Sequence, residues 1–308
     1  MGVRRSAVGV RRSVKSPRAL ASAALERGLY HPLKLLPSAA VTGIGAALGR
    51  GIAPALYPDP DQRARAALAR LRPDLDPEAA RTEIWSNIGA TFAEMARILR
   101  FWEEGRVEVA GAENLLETRR HRPVLLAGLH TGNPEVLGLT ISKLGARPVG
   151  VAIRQPTAFR ERVITDIRLR GGGRMIRADR DAMRPVLKVL EAREETLLFW
   201  MDDYVGGVVR GPSLGRGPRR TGNIPFAARL ARMTGCAVVP GFVRRLPGTR
   251  FLTTFLPPVV LPPATGDRAA DLAAGAAAID AVIDPVVRAN LTQWLFAISI
   301  RWEGVPPG

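Results

Sequence analysis

An unbroken apolar run, Pro123-Val124-Leu125-Leu126-Ala127-Gly128-Leu129, passes directly into His130-Thr131-Gly132-Asn133-Pro134-Glu135. No other stretch constrains the chain as much. A run of strand length without a polar side chain suits a strand buried on both faces, as in parallel sheets covered by helices. Asn133 is a good N-cap and Pro134 a good first helical residue, so 134–144 reads as a helix. His130 then lies in the turn at the carboxyl end of a strand, beside a helix N-terminus, where open α/β sheets place their ligands. Glu135, in the first helical turn, is near enough to reach back to the imidazole. A carboxylate accepting one ring N–H fixes the tautomer and stabilises the imidazolium, so the pair can serve as a general base and its orienter. The second ring nitrogen is left to take a proton from a hydroxyl or amine. The helix start supplies partial positive charge for an anion.

The remainder of the chain alternates in the same way. Strands are expected at 148–154, 175–177, 196–202, 237–244 and 250–255, and helices at 157–170, 182–192, 223–234 and 269–290. That alternation predicts an α/β fold with a mainly parallel central sheet covered by helices. A short strand and turn are expected at 107–116. Over 59–102, Ala66, Leu68 and Leu71, then Ile84, Ile88, Phe92, Met95 and Leu99, recur at helical spacing and read as core stripes.

Three regions follow from this pattern. Residues 1–34 form a basic tail, expected to be disordered, in which Arg4, Arg5, Arg11, Arg12, Lys15 and Arg18 precede any acidic residue. Residues 35–57 carry one charge, Arg50, but are rich in Gly and Ala and broken by Pro37 and Pro54. This segment is marginal for a membrane span, and a helix lying in the membrane interface suits it better. Residues 58–308 make the main domain.

The net charge of +17 points to a polyanionic partner: nucleic acid, anionic lipid or an acidic carrier protein. The chain lacks zinc-finger spacing and basic motifs interleaved with aromatics, which argues against nucleic acid. Three scattered His and the single Cys236 give no metal-ligand cluster, and Cys236, in an apolar run, reads as core packing. Thr42 to Gly49 is glycine-rich, but the Pro-interrupted segment before it is a poor first strand for a dinucleotide fold. Gly211-Pro212-Ser213-Leu214-Gly215 fits a nucleophile-elbow pattern. It lacks a following helix, and all three His precede Ser213, the wrong order for that fold.

Arg154 and Asp202 each end an expected strand and so share the rim with His130. Arg154 could clamp a phosphate with two prongs or polarise a thioester carbonyl. Arg168 could touch an acceptor phosphate or pair with Asp166 or Asp202. Asn133, at the helix start, joins Arg154, Arg168 and Asp202 as a substrate-binding candidate, with His130 and Glu135 as the catalytic ones.

His130-Thr131-Gly132-Asn133-Pro134-Glu135 resembles the His-x4-Asp/Glu signature of the lysophospholipid acyltransferase superfamily, and more narrowly the His-x-Gly-Asn-Trp-Glu form of bacterial lipid A late acyltransferases. Pro134 stands where that form usually carries Trp. The likeness extends over 35–303, through Arg154, Arg168 before Gly171, the Asp202 to Gly206 turn and the closing Gln293-Trp294 and Arg301-Trp302. The resemblance implies a glycerol-3-phosphate acyltransferase-like fold with an N-terminal membrane-contacting helix. It implies acyl transfer from acyl carrier protein or coenzyme A to a hydroxyl of a phosphorylated glycolipid, a lipid A precursor, at the cytosolic face of the inner membrane, with no cofactor. It also implies that an acid near Asp202 helps hold the base or the acceptor. The competing readings are a catalytically silent lipid-binding protein on the same fold and an acyltransferase for a phosphatidylinositol mannoside or a lysophospholipid.

Overall fold

The computed structural model describes residues 27–217 and 220–302. Its centre is a sheet in the order β1-β9-β8-β2-β5-β3-β4. The strands are β1 (Val107–Ala110), β2 (Val124–Gly128), β3 (Pro148–Ala152), β4 (Arg174–Arg177), β5 (Thr196–Trp200), β8 (Ala237–Leu246) and β9 (Arg250–Phe255). Neighbours run parallel except β8 and β9, which form an antiparallel pair. A separate hairpin joins β6 (Tyr204–Val205) to β7 (Val208–Val209). The expected α/β architecture with a mainly parallel sheet is therefore the one observed.

β2 occupies the middle, with every residue buried. Its side chains alternate between two cores, as the period of a strand requires. Leu125, Ala127 and Leu129 enter one core, beside Val238, Leu230 and Ile283. Val124 and Leu126 enter the other, beside Val136, Ile141 and Ile167. Cys236 belongs to the first core, and burial raises its thiol pKa.

Before the sheet come the long helices α1 (Ser38–Leu56), α2 (Pro58–Leu71) and α3 (Pro77–Glu94). The continuous periodicity over 59–102 is thus divided, because Asp76 caps a new helix by accepting from the Ala79 N–H at 2.7 Å and Pro77 takes its first position. Ile84 and Ile88 are core, whereas Phe92 is exposed, with the Arg160 guanidinium 4.6 Å above its ring.

α1 contains the apolar segment expected at 35–57, and it is long and apolar enough to cross a membrane. It packs along α3 through glycines. A Cβ on Gly89 would lie 2.2 Å from the Gly45 carbonyl oxygen, and one on Gly49 2.1 Å from the Trp85 oxygen. Only glycine allows backbones to approach so closely. Ile44 and Ile52 of the same helix stay exposed. The glycine-rich 42–49 run lies inside this helix.

Of the expected basic tail, 1–26 fall outside the described residues. Residues 27–33 are helical, and Tyr30 meets Phe159 edge to face at 5.5 Å. After β1 the chain forms α4 (Ala112–His121), where a turn was expected. Gly111, at φ 68°, makes the entry. The later helices are α5 (Pro134–Lys143), α6 (Ala158–Arg170), α7 (Met183–Ala192), α8 (Asn223–Thr234) and α9 (Arg268–Ala289).

Candidate active site

The parallel register creates the site. Gly128 of β2 lies opposite Trp200 of β5, so the residues two places beyond each strand end, His130 and Asp202, emerge side by side. His130 Nδ1 lies 2.7 Å from Asp202 Oδ1. The other carboxylate oxygen accepts the His130 backbone N–H at 2.7 Å and the Trp294 indole N–H at 2.8 Å. Asp202 is 1% exposed, and an ionised carboxylate only accepts, so Nδ1 carries the proton and Nε2 is the basic nitrogen. The imidazole is flanked by Trp200 and Phe296, with ring centroids 4.1 and 4.9 Å away. It remains one-fifth exposed.

Glu135 is not the residue on the imidazole nitrogen. Both its oxygens accept from Arg168, from Nε at 3.0 Å and Nη2 at 2.7 Å. Burial opposes the Arg168 charge, but the Glu135 charge and its hydrogen bonds outweigh burial and raise the guanidinium pKa. Of the alternatives open for Arg168, the ion pair is realised, with Glu135 in place of Asp166 or Asp202. A helix start aims its first-turn side chains along the helix flank. Glu135 therefore points toward α6, while the imidazole turns toward β5.

Asn133 is fully buried and caps α5, its Oδ1 accepting the Glu135 N–H at 3.1 Å. Its amide donates to Glu94 Oε2 at 2.9 Å, so it faces the interior and not a ligand. Gly132 has φ +59°, and a Cβ there would come within 2.7 Å of the Val243 oxygen. The tight approach to β8 therefore requires glycine.

Arg154 stands apart. β3 pairs with β5 only as far as Gly150 and then continues beside β4, with Ala152 opposite Arg177. That divergence carries Arg154, two residues past the strand, away from Asp202 to an exposed position. Its charge helps lower the Glu161 carboxyl pKa, after the Gln155 backbone hydrogen bond that contributes most.

Two clefts flank the Glu135–Arg168 pair. One lies between α5, α6 and the sheet, enclosing about 490 Å³ including its solvent-open part, with Ile98, Leu139, Ile167, Leu198 and Trp200 in its mainly apolar wall. Trp200 is shared between this wall and the imidazole. The other, bounded by Ile153, Gln155, Glu161, Arg168 and Arg177, is more polar.

Asp203, next to Asp202, is nine-tenths buried. Burial raises its pKa, and Asp202 adds to the rise against the pull of Arg210. Ser213, the centre of the nucleophile-elbow pattern, donates its hydroxyl to Asp280, and its backbone N–H donates to the same carboxylate at 2.9 Å. Leu214 N–H donates to Asp284 at 2.6 Å. The loop is therefore latched to α9. Trp294 and Phe296 acquire roles that sequence reading left unassigned. The Gln293-Trp294 pair was a visible signal, but its partner lies 92 residues away.

The arrangement suits removal of a proton from a hydroxyl at the mouth of an apolar cleft. The sequence profile of bacterial lipid A biosynthesis acyltransferases matches residues 12–303. No individual curated protein matches the chain.

Proposed function

Because the chain belongs to the bacterial lipid A biosynthesis acyltransferase family, we propose that it moves a fatty acyl group from a thioester of acyl carrier protein or coenzyme A to a hydroxyl of a phosphorylated lipid A precursor. The observation that carries this reading is the imidazole whose Nδ1 is held by a buried carboxylate, beside an apolar cleft.

His130 Nε2 accepts the acceptor's hydroxyl proton as that oxygen attacks the thioester carbonyl carbon. Asp202 holds the Nδ1 proton and stabilises the imidazolium. Collapse of the tetrahedral oxyanion re-forms the carbonyl and breaks the C–S bond, and the imidazolium returns its proton to the departing sulfur. No protein nucleophile is required. The acyl chain lies in the cleft walled by Leu139, Ile167, Leu198 and Trp200, where each buried methylene contributes about 0.8 kcal/mol.

Glu135 and Arg168 shape the wall between the two clefts. Arg154, between Ile153 and Gln155 of the polar cleft, meets phosphate of the acceptor or the donor. α1, with Ile44 and Ile52 exposed, sits in the cytosolic interface of the inner membrane, drawn there by basic residues acting on anionic lipid.

Mass spectrometry of total lipids tests the reading. Cells lacking the gene should accumulate a lipid A precursor short of one acyl chain, and restoring the wild-type gene but not His130→Ala should remove it. An unchanged lipid A profile would refute the proposal.

A further inference from the structure

Of the buried carboxylates that the mechanism does not use, Glu94 is the most enclosed among the described residues. Glu94, at the end of α3, is completely buried. Its Oε1 accepts from the Thr42 hydroxyl at 2.8 Å and from Arg245 Nη1, and its Oε2 accepts from Asn133 Nδ2 at 2.9 Å and Arg245 Nη2 at 3.0 Å. The two oxygens thereby use about four acceptor sites. The donors come from three places: α1, the turn after His130, and β8. A buried ion pair is often no more stabilising than well-packed apolar side chains. What this one specifies is geometry.

We propose that Glu94 is a positioning residue of the His130 site, acting through the Asn133 amide. A side-chain amide can face either way. The carboxylate only accepts, so it draws Nδ2 toward itself and leaves Oδ1 for the Glu135 N–H at the start of α5. A neutral amide at position 94 can present its own NH₂ and let Asn133 turn round, which uncaps α5 three residues from His130. Arg245 extends the grip. Its Nη2 donates to Thr91 Oγ1 at 3.1 Å, and that hydroxyl shares its proton between the Asn87 carbonyl at 2.8 Å and the Gly132 carbonyl at 2.9 Å. The Arg245 backbone N–H donates to Gln293 Oε1 at 2.6 Å, while the Gln293 carbonyl accepts the Gly132 N–H at 2.9 Å. The turn bearing the base is thus held from α3 and from the closing segment, and α1 is tied to the same carboxylate through Thr42.

Only the turnover arm of the test depends on the acyl-transfer reading. The chain has three His, so the His130 imidazole can be followed by NMR in selectively labelled protein. Glu94→Gln should shift or broaden that signal while those of His31 and His121 stay in place. With a lauroyl thioester and an under-acylated lipid A precursor, kcat should fall about tenfold to a hundredfold and KM should change less than about threefold, as expected for a displaced base. Asn133→Ser retains a cap but loses the donor to Glu94, and should reproduce both effects. The double variant should be no worse than the poorer single, because both cut one link.

An unmoved His130 signal and kcat within about threefold of wild type in Glu94→Gln would reduce Glu94 to interior packing. If that variant does not fold, the same two readouts on Asn133→Ser decide. Should the wild type transfer no acyl group, the acyl-transfer reading falls, and the imidazole signal still decides the role of Glu94.

Discussion

Asp202→Asn separates the contribution of the carboxylate from that of everything packed around it. Two N–H groups, from the His130 backbone and the Trp294 indole, converge on Asp202 Oδ2. In the variant they hold the amide oxygen at that position, so the NH₂ faces His130 Nδ1. The imidazole must then accept at Nδ1 and carry its proton on Nε2, the wrong tautomer for a base. An equivalent error in a serine protease triad costs about 10⁴ in kcat. Here Trp200 and Phe296 also fix the ring, and we expect a loss of about 10³, or about 4 kcal/mol at 1.36 kcal/mol per tenfold. The variant is isosteric and keeps both Oδ2 hydrogen bonds, so its thermal unfolding should stay close to that of wild type. The assay is steady-state transfer from an acyl thioester, with circular dichroism melting alongside. Turnover within about threefold of wild type would refute the assignment of Asp202 as the residue that holds the base.

Glu135→Gln leaves the Arg168 charge without a partner, and should cost about 3 kcal/mol of stability in denaturant unfolding while reducing kcat far less than Asp202→Asn. The reverse pattern would restore Glu135 as the direct orienter. Arg154→Lys keeps the charge but loses the planar fork. Its kcat/KM should drop by about 1.5–3 kcal/mol with a phosphorylated acceptor and little with a dephosphorylated one, whereas equal discrimination by both proteins would remove Arg154 from phosphate recognition. Burial raises the Asp203 pKa, so its folded form prefers the proton: wild type should lose stability as pH rises from the ordinary Asp range through the raised value. Asp203→Asn should flatten that part of the Tm–pH curve, and an unchanged slope would contradict the assignment. Ile44→Glu with Ile52→Glu should lower sedimentation with anionic vesicles at least tenfold, since each buried isoleucine contributes about 1.5–3 kcal/mol; undiminished binding would move the membrane contact elsewhere.

The local signals in the chain were strong where one residue's neighbours decide its state. The apolar run before His130, the Asn133 cap and Pro134 gave β2 and the start of α5 almost residue by residue. Expectation failed where distant segments choose the partner. Glu135 sits five residues from His130, yet the Nδ1 partner comes from just beyond β5, 72 residues away, because parallel register and not sequence spacing aligns strand ends. Arg154 and Asp202 share an offset from their strands, but β3 peels away from β5 after Gly150, an event with no local signature. The sequence over 107–116 reads as a strand and turn, whereas the chain enters α4 directly through Gly111 at φ 68°. The charges Glu94 and Arg245 showed no pattern at all. Their pairing exists only once α3 and β8 converge on the catalytic turn.

The most direct test of the central claim is transfer by the purified full chain. Acyl carrier protein loaded with a defined acyl chain is incubated with an under-acylated lipid A precursor, and the product is weighed by mass spectrometry. The account predicts a precursor heavier by one acyl group with wild type, and a rate lower by about 10²–10⁴ with His130→Ala. Equal product from both proteins, or none from wild type with either the carrier-protein or the coenzyme A thioester, would contradict it.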